Sequence, residues 1–221
     1  MKVPFGLMDG RMWAIDEVPT GLSCGCVCPG CGRALVAKNR EGNQHISHFA
    51  HYNTSDCATG AETALHLDAK QIIDERRQLF LPDLVATSLF RHRHLPETLH
   101  DYTRISQGGL QVLADVVLEQ GIGPIRPDLR VVDTEGQTVL VEVAVTHFVD
   151  EHKRARAELL GLPMVEFDLS ELPRFDFASL EAVLFQYTDS ARWIHHPLIE
   201  AERDRQRQTF EAGLNDPTSC G

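Results

Sequence analysis

Thr138-Val-Leu-Val-Glu-Val-Ala-Val145 sets a single carboxylate inside a run of β-forming apolar residues. Such a run reads as a buried strand. A carboxylate there is costly unless it is ion-paired or bound to a metal. Alternation puts Leu140 and Ala144 on the face of Glu142 and Val141, Val143 and Val145 on the other.

Just upstream, Arg130-Val-Val132 predicts a second strand, and Asp133-Thr-Glu-Gly136 predicts a tight turn between the two. Asp128 enters that hairpin behind Pro127, whose fixed φ keeps the approach extended. Pairing brings Asp128 and Glu142 to one end of the hairpin. Two converging carboxylates suit a hard divalent cation such as Mg²⁺ or Mn²⁺.

The surrounding pattern predicts an α+β core. Leu110–Leu118 is a strand, Asp150–Leu160 a helix stopped by Gly161, Pro163–Leu169 a strand, and Phe177–Phe185 a helix. The strand after the 150–160 helix needs a crossover and so pairs in parallel, which gives a mixed β-sheet flanked by helices, α/β/α-like. Ahead of it, Gly60–Leu79 predicts a helix with an apolar stripe at Ala61, Leu65, Ala69, Ile72, Ile73 and Leu79, ended by Leu81-Pro82. Glu62, His66 and Lys70 share one of its faces.

Residues 1–58 predict a small zinc-binding β module. Val3–Ile15 reads as a hairpin turning at Asp9-Gly10. Cys28-Pro-Gly-Cys31 is a two-thiolate knuckle, followed by His48, His51 and Cys57. Structural Zn²⁺ takes four ligands. Cys28, Cys31, His51 and Cys57 are the favoured set, and His48 is the reserve. Cys24 and Cys26 read as strand residues ahead of the knuckle. A module this short needs the metal to fold.

Residues 59–190 then form the core and 191–221 a C-terminal helix and tail. In that last segment Trp193–Pro197 reads as a break. Leu198–Glu211 reads as a charged helix, solvated or facing a partner such as a second copy. Cys220 reads as an unpaired thiol near a frayed end. Arg91-His-Arg-His94, with Tyr102 and Arg104, is the densest basic stretch and the best local phosphate contact. The net charge of −11 opposes broad nucleic-acid binding. No apolar run approaches a membrane span and no leader is recognisable at Met1, so the expectation is a cytoplasmic protein without membrane contact.

Taken in order, Cys28-Pro-Gly-Cys31, His48-Phe-Ala-His51, Glu62-x3-His66-x3-Lys70, Arg126-Pro-Asp128 and Glu142 resemble the competence-protein CoiA-like nucleases, a branch of the PD-(D/E)XK superfamily. The resemblance spans residues 24 to 170. It implies a restriction-endonuclease-like core behind a zinc-ribbon-like module, and metal-dependent hydrolysis of phosphodiester bonds in DNA. Glu62, Asp128 and Glu142 would hold Mg²⁺, with His66 close by. The family carries Lys or Gln two positions after the glutamate, where this chain has Ala144. His147 at the strand end is the first choice to replace it, since an imidazole can carry a proton in phosphoryl chemistry. Lys70 is an alternative, and Lys153 and Arg156 are more remote. Ala144 and the acidic charge favour a different class, a catalytically silent nucleic-acid-binding or adaptor protein on the same fold. A third reading makes both metal sites structural.

Overall fold

In the computed structural model, which describes residues 3, 5–40, 46–53, 57, 59–92, 97–172, 177–186 and 189–214, Asp9 and Gly10 turn the chain at φ 52° and 78°. They join β1 (Phe5–Met8) to β2 (Arg11–Ala14) as the sequence predicts. After a 3₁₀ turn at Leu22–Cys24, β3 (Leu35–Lys38) pairs with β4 (His48–His51). Cys24 thus closes a turn rather than lying in a strand. Cys24, Cys26 and Cys28 pack with Phe5, Leu35 and Phe49 in the module's core.

Helix α1 (Gly60–Arg76) lies between two cores. Its Ala64 packs into the module, while Leu65, Ala69, Ile72 and Ile73 pack against the main sheet. Gln71 fastens the module side: its Oε1 accepts from the Met12 N–H at 2.6 Å and its Nε2 donates to the Met12 carbonyl at 3.2 Å. The predicted extension of this helix to Leu79 is incorrect. Arg77 takes the left-handed conformation (φ 51°) and ends it, and Leu79 lies in the following strand β5 (Gln78–Leu81).

Asp68 is 4% exposed on α1, and its Oδ2 has no partner. Burial pushes its carboxyl up to about 7, and Glu17 and Glu75 add to the effect. The unfolded carboxyl titrates near 3.8. Between those values the native state holds a proton that the unfolded chain releases, so stability falls as pH rises through the window. Asp68→Asn is expected to remove that slope and to stabilise the protein by about 1–3 kcal/mol above neutrality, with little change at pH about 4. Thermal melts at the two ends of the range check this.

Between β5 and the core strands, β6 (Leu84–Phe90) and β7 (Leu99–Ser106) pair antiparallel, a hairpin that the sequence pattern did not announce. Next come β8 (Gly109–Leu118), β9 (Leu129–Asp133), β10 (Thr138–Ala144), α2 (Glu151–Leu160), β11 (Met164–Asp168), α3 (Phe177–Phe185), β12 (Ala191–His195) and α4 (Pro197–Leu214). The main sheet has six strands in the order β12-β11-β10-β9-β8-β5. The β10–β11 pair is parallel and the other pairs are antiparallel, so the predicted mixed sheet flanked by helices is present. Asp133 builds the β9–β10 turn, its Oδ1 accepting from the N–H groups of Glu135 and Gln137 at 2.9 and 2.8 Å.

Val139, Val141 and Val143 of β10 join the core under α1 and α3, whereas Leu140 packs with Ala157 of α2 on the other face. Glu142 shares the face of Leu140, as alternation predicts.

Trp193–His195, read from sequence as a break, belongs to β12 at the sheet edge. Helix α4 is not simply solvated. Ile199 packs with Leu84 and Ala86, Phe210 stacks on Phe90 with centroids 4.5 Å apart, and Gln206 bonds Ser88 at 2.6 Å. One face of α4 is therefore occupied by the chain's own hairpin. Among the described residues no helix is long and apolar enough to cross a membrane. Arg93, His94 and Cys220 lie outside the described residues.

Candidate metal centre and acidic cavity

Two clusters of chemistry-bearing side chains flank the first half of α1. The first is the knuckle. The Cys28 N–H donates to the Arg33 carbonyl at 2.8 Å and the Gly32 N–H to the Cys28 carbonyl at 2.7 Å, curling the loop so that the buried Cys28 and the exposed Cys31 turn their thiols to one side. Cys28 Sγ and Cys57 Sγ lie 3.5 Å apart, and Cys31 Sγ lies 3.3 Å from His51 Nε2. All four ligand atoms fall within 4.8 Å of one another. Three sulfurs and one imidazole at these separations form a four-ligand donor set that could hold Zn²⁺. This is the favoured quartet. His48 is not part of it: it sits at the opposite end of β4, its Nδ1 2.8 Å from the Ile46 carbonyl. The first residue of α1 presses against the sulfurs, and a Cβ on Gly60 would lie 2.8 Å from Cys28 Sγ and 2.9 Å from Cys57 Sγ.

The second cluster lines a cavity of about 660 Å³ where α1, the end of β10 and the start of α2 meet. Asp128 and Glu142 come together there as the hairpin predicts. Asp128 Oδ2 accepts from the Val143 N–H at 2.9 Å and lies 3.0 Å from His66 Nε2. Burial works to raise the Asp128 pKa, but His66, the Val143 N–H and Lys70 outweigh it and the net shift is downward. Glu142 shifts the other way. Burial pushes it up to about 7 and the neighbouring Asp128 charge adds to that, against the opposing pull of Lys153. Two adjoining carboxyls with separated affinities for a proton are a common property of reactive sites.

Glu62 lines the same cavity. It accepts a hydrogen bond from Thr146 Oγ1, and its Oε1 is 3.5 Å from His147 Nδ1. The three carboxylates therefore share one cavity. Among the described residues, however, the sulfur and imidazole quartet is the group whose ligand atoms all fall within 4.8 Å, and Glu62 stands apart from the Asp128–Glu142 pair.

The largest departure from expectation concerns the missing lysine. His147 does not reach Glu142; it is 93% exposed and stands at the rim beside Glu62. Lys70 is drawn away to Glu119, 2.6 Å from its Nζ. Lys153 is the candidate that reaches Glu142, with its Nζ 2.6 Å from Glu142 Oε2. Its position follows from local chemistry. Asp150 caps α2, its Oδ1 accepting from the Lys153 N–H at 2.7 Å. That sets the helix phase so that Lys153 stands one turn before the fully buried Ala157. A lysine in the first turn opposes the helix dipole, and the Glu142 carboxylate offsets that cost.

Glu166 is a site residue that the pattern did not single out. It sits beside Glu142 in the parallel register and is 1% exposed. Arg192 of β12 donates to its Oε1 at 2.6 and 3.0 Å, and the Val149 N–H donates to its Oε2 at 2.6 Å. Its charge is fully engaged, and it anchors the segment between β10 and α2. A second glutamate in an apolar strand was the available signal. The described residues of the basic stretch do not line the cavity: Arg91 bonds Thr98 at 3.0 Å and Arg104 pairs with Asp83 at 3.0 Å.

Compared with protein-family models, curated proteins and solved structures, the chain matches none.

Proposed function

We propose that the cavity is the active site of a metal-dependent nuclease that hydrolyses phosphodiester bonds in DNA, built on a restriction-endonuclease-like core of the CoiA-like kind. The observation that carries the reading is the juxtaposition of Asp128, Glu142 and Lys153: a carboxylate pair and one cation at the end of two paired strands. The lysine comes from α2 rather than from the position of Ala144.

The donor set fits a hard divalent cation. The oxygens of Asp128 and Glu142 adjoin, and Glu142 Oε1 is buried without a partner. Mg²⁺ or Mn²⁺ bound there would polarise the scissile phosphate and lower the pKa of the attacking water. His66 orients Asp128. Lys153 supplies positive charge where the phosphate gains negative charge. Glu62 completes the acidic wall, held by Thr146 and His147. Arg126, His152 and Arg156 line the cavity and supply phosphate contacts in a chain that is otherwise acidic.

The quartet supports a structural role for Zn²⁺ in the module. Gly60→Ala is expected to weaken Zn²⁺ retention at least about tenfold, because the added methyl displaces two sulfurs from their common centre. Competition against a chromogenic chelator checks it.

A catalytically silent nucleic-acid-binding protein is the second reading. The closed Lys153–Glu142 pair, the stand-off of Glu62 and the acidic net charge favour it. Incubation of zinc-loaded protein with supercoiled plasmid and linear single-stranded DNA separates the two. The nuclease reading expects cleavage that requires Mg²⁺ or Mn²⁺ and disappears in Glu142→Ala. Absence of cleavage on both substrates, with binding retained, would replace it with the silent reading.

A further inference from the structure

A second cleft, of about 300 Å³, opens beside β12, the start of α4, α2 and the β5–β6 junction. Three arginines from three elements line it: Arg154, Arg192 and Arg203. At its wall His195 is only 6% exposed, yet neither ring nitrogen has a hydrogen-bond partner. Arg203 Nε is likewise buried and without a partner, although its Nη1 pairs with Glu200 at 2.9 Å. Orphaned buried polar atoms are rare in folded proteins, and three around one opening call for a ligand.

The neighbouring groups narrow its chemistry. His196 is already committed: its Nδ1 lies 3.2 Å from the Leu198 N–H, and its ring stands edge-on to Trp193 with centroids 4.8 Å apart. Trp193 is itself tied to the Pro82 carbonyl at 3.1 Å. The wall around His195 is thus fixed while His195 is not. Arg154 spends its Nε on Glu158 at 3.0 Å and its Nη2 reaches Glu200 only at 4.0 Å, so the terminal N–H groups of its guanidinium remain as donors. Planar guanidinium groups and an imidazole that can carry two N–H donors match a tetrahedral oxyanion.

We propose that this cleft is a phosphoryl-binding site in which His195, Arg154 and Arg203 donate to one oxyanion. The proposal is independent of cleavage in the acidic cavity. Burial holds the free imidazole below its ordinary pKa. The charged groups facing it are Arg154 and Glu158 of α2, Glu200 and Arg203 of α4, Arg192 of β12 and Asp83 before β6, and the neighbouring His196, pushed down to about 4 by burial, is neutral. A bound anion raises the imidazole's affinity for a proton, so binding strengthens as pH falls below neutrality.

The test follows the ¹⁵N and ¹H resonances of the His195 ring in the full zinc-loaded chain. The two titrants are inorganic phosphate and a short oligothymidylate. A saturable shift is expected, with a dissociation constant on the order of 1 mM for phosphate, weakened at least about tenfold in Arg154→Gln. A response to phosphate assigns the site to a free or terminal phosphate, and a response to the oligonucleotide alone assigns it to a chain phosphodiester. No saturable response to either would leave water as the sole occupant and overturn the proposal. An undiminished response in Arg154→Gln would overturn it as well.

Discussion

Lys153→Met is expected to slow Mg²⁺-dependent DNA cleavage by about 10²–10³-fold. His147→Ala is expected to slow it by less than about tenfold. The two residues compete for the role that Ala144 leaves open, and the geometry separates them: Lys153 Nζ touches Glu142, whereas His147 sits at the rim beside Glu62. Methionine preserves the length of the stem and removes the charge. The fold should tolerate it, because burial already favours the protonated Glu142 carboxyl and losing the opposing pull of Lys153 favours it further. The cost in stability therefore grows above neutrality, where the carboxyl must ionise unpaired. Single-turnover rates for the two variants, with a melting curve for each, give the comparison. Equal losses would assign the charge to neither residue alone.

Removing the metal from the cysteine–histidine quartet is expected to unfold the N-terminal module, with a loss of several kcal/mol drawn from the roughly 10–16 kcal/mol typical of structural Zn²⁺. Each strand of the module is four residues long, and its core depends on Cys28 and the packing around it. Ala64 of α1 belongs to that core, and Gly60 abuts the sulfurs. Disorder should therefore spread into the first turn of α1 and displace Glu62, so that zinc removal also impairs the acidic cavity. Hydrogen exchange over residues 3–66 before and after chelation checks this. Cys28→Ala should reproduce the effect and His48→Ala should not.

The strands that carry Asp128 and Glu142 were legible because every local signal agreed: the Asp133–Gly136 turn, the alternation and the crossover helix. The hairpin β6–β7 was not, because Pro82 and Pro96 suggested interruption and its half-exposed faces carry little pattern. Strand β12 was hidden by Pro197. That proline opens α4, where its missing N–H costs nothing, so the strand before it remains intact. The 150–160 helix was legible, but that reading left Lys153 among the more remote candidates. What pattern could not supply was that the first turn of α2 lies over Glu142, a fact set by the tertiary crossover. The Glu166–Arg192 pair was equally out of reach, since β12 had to be recognised first.

The claim at the centre of this account is that Asp128 and Glu142 hold one divalent cation. Anomalous diffraction from crystals of the zinc-loaded protein grown with Mn²⁺ tests it most directly. The account predicts a manganese peak with carboxylate oxygens of both residues about 2.0–2.6 Å away and Lys153 turned from Glu142 toward the open cavity. Manganese absent from the cavity at saturating concentration, with Glu142 still paired to Lys153, would contradict it.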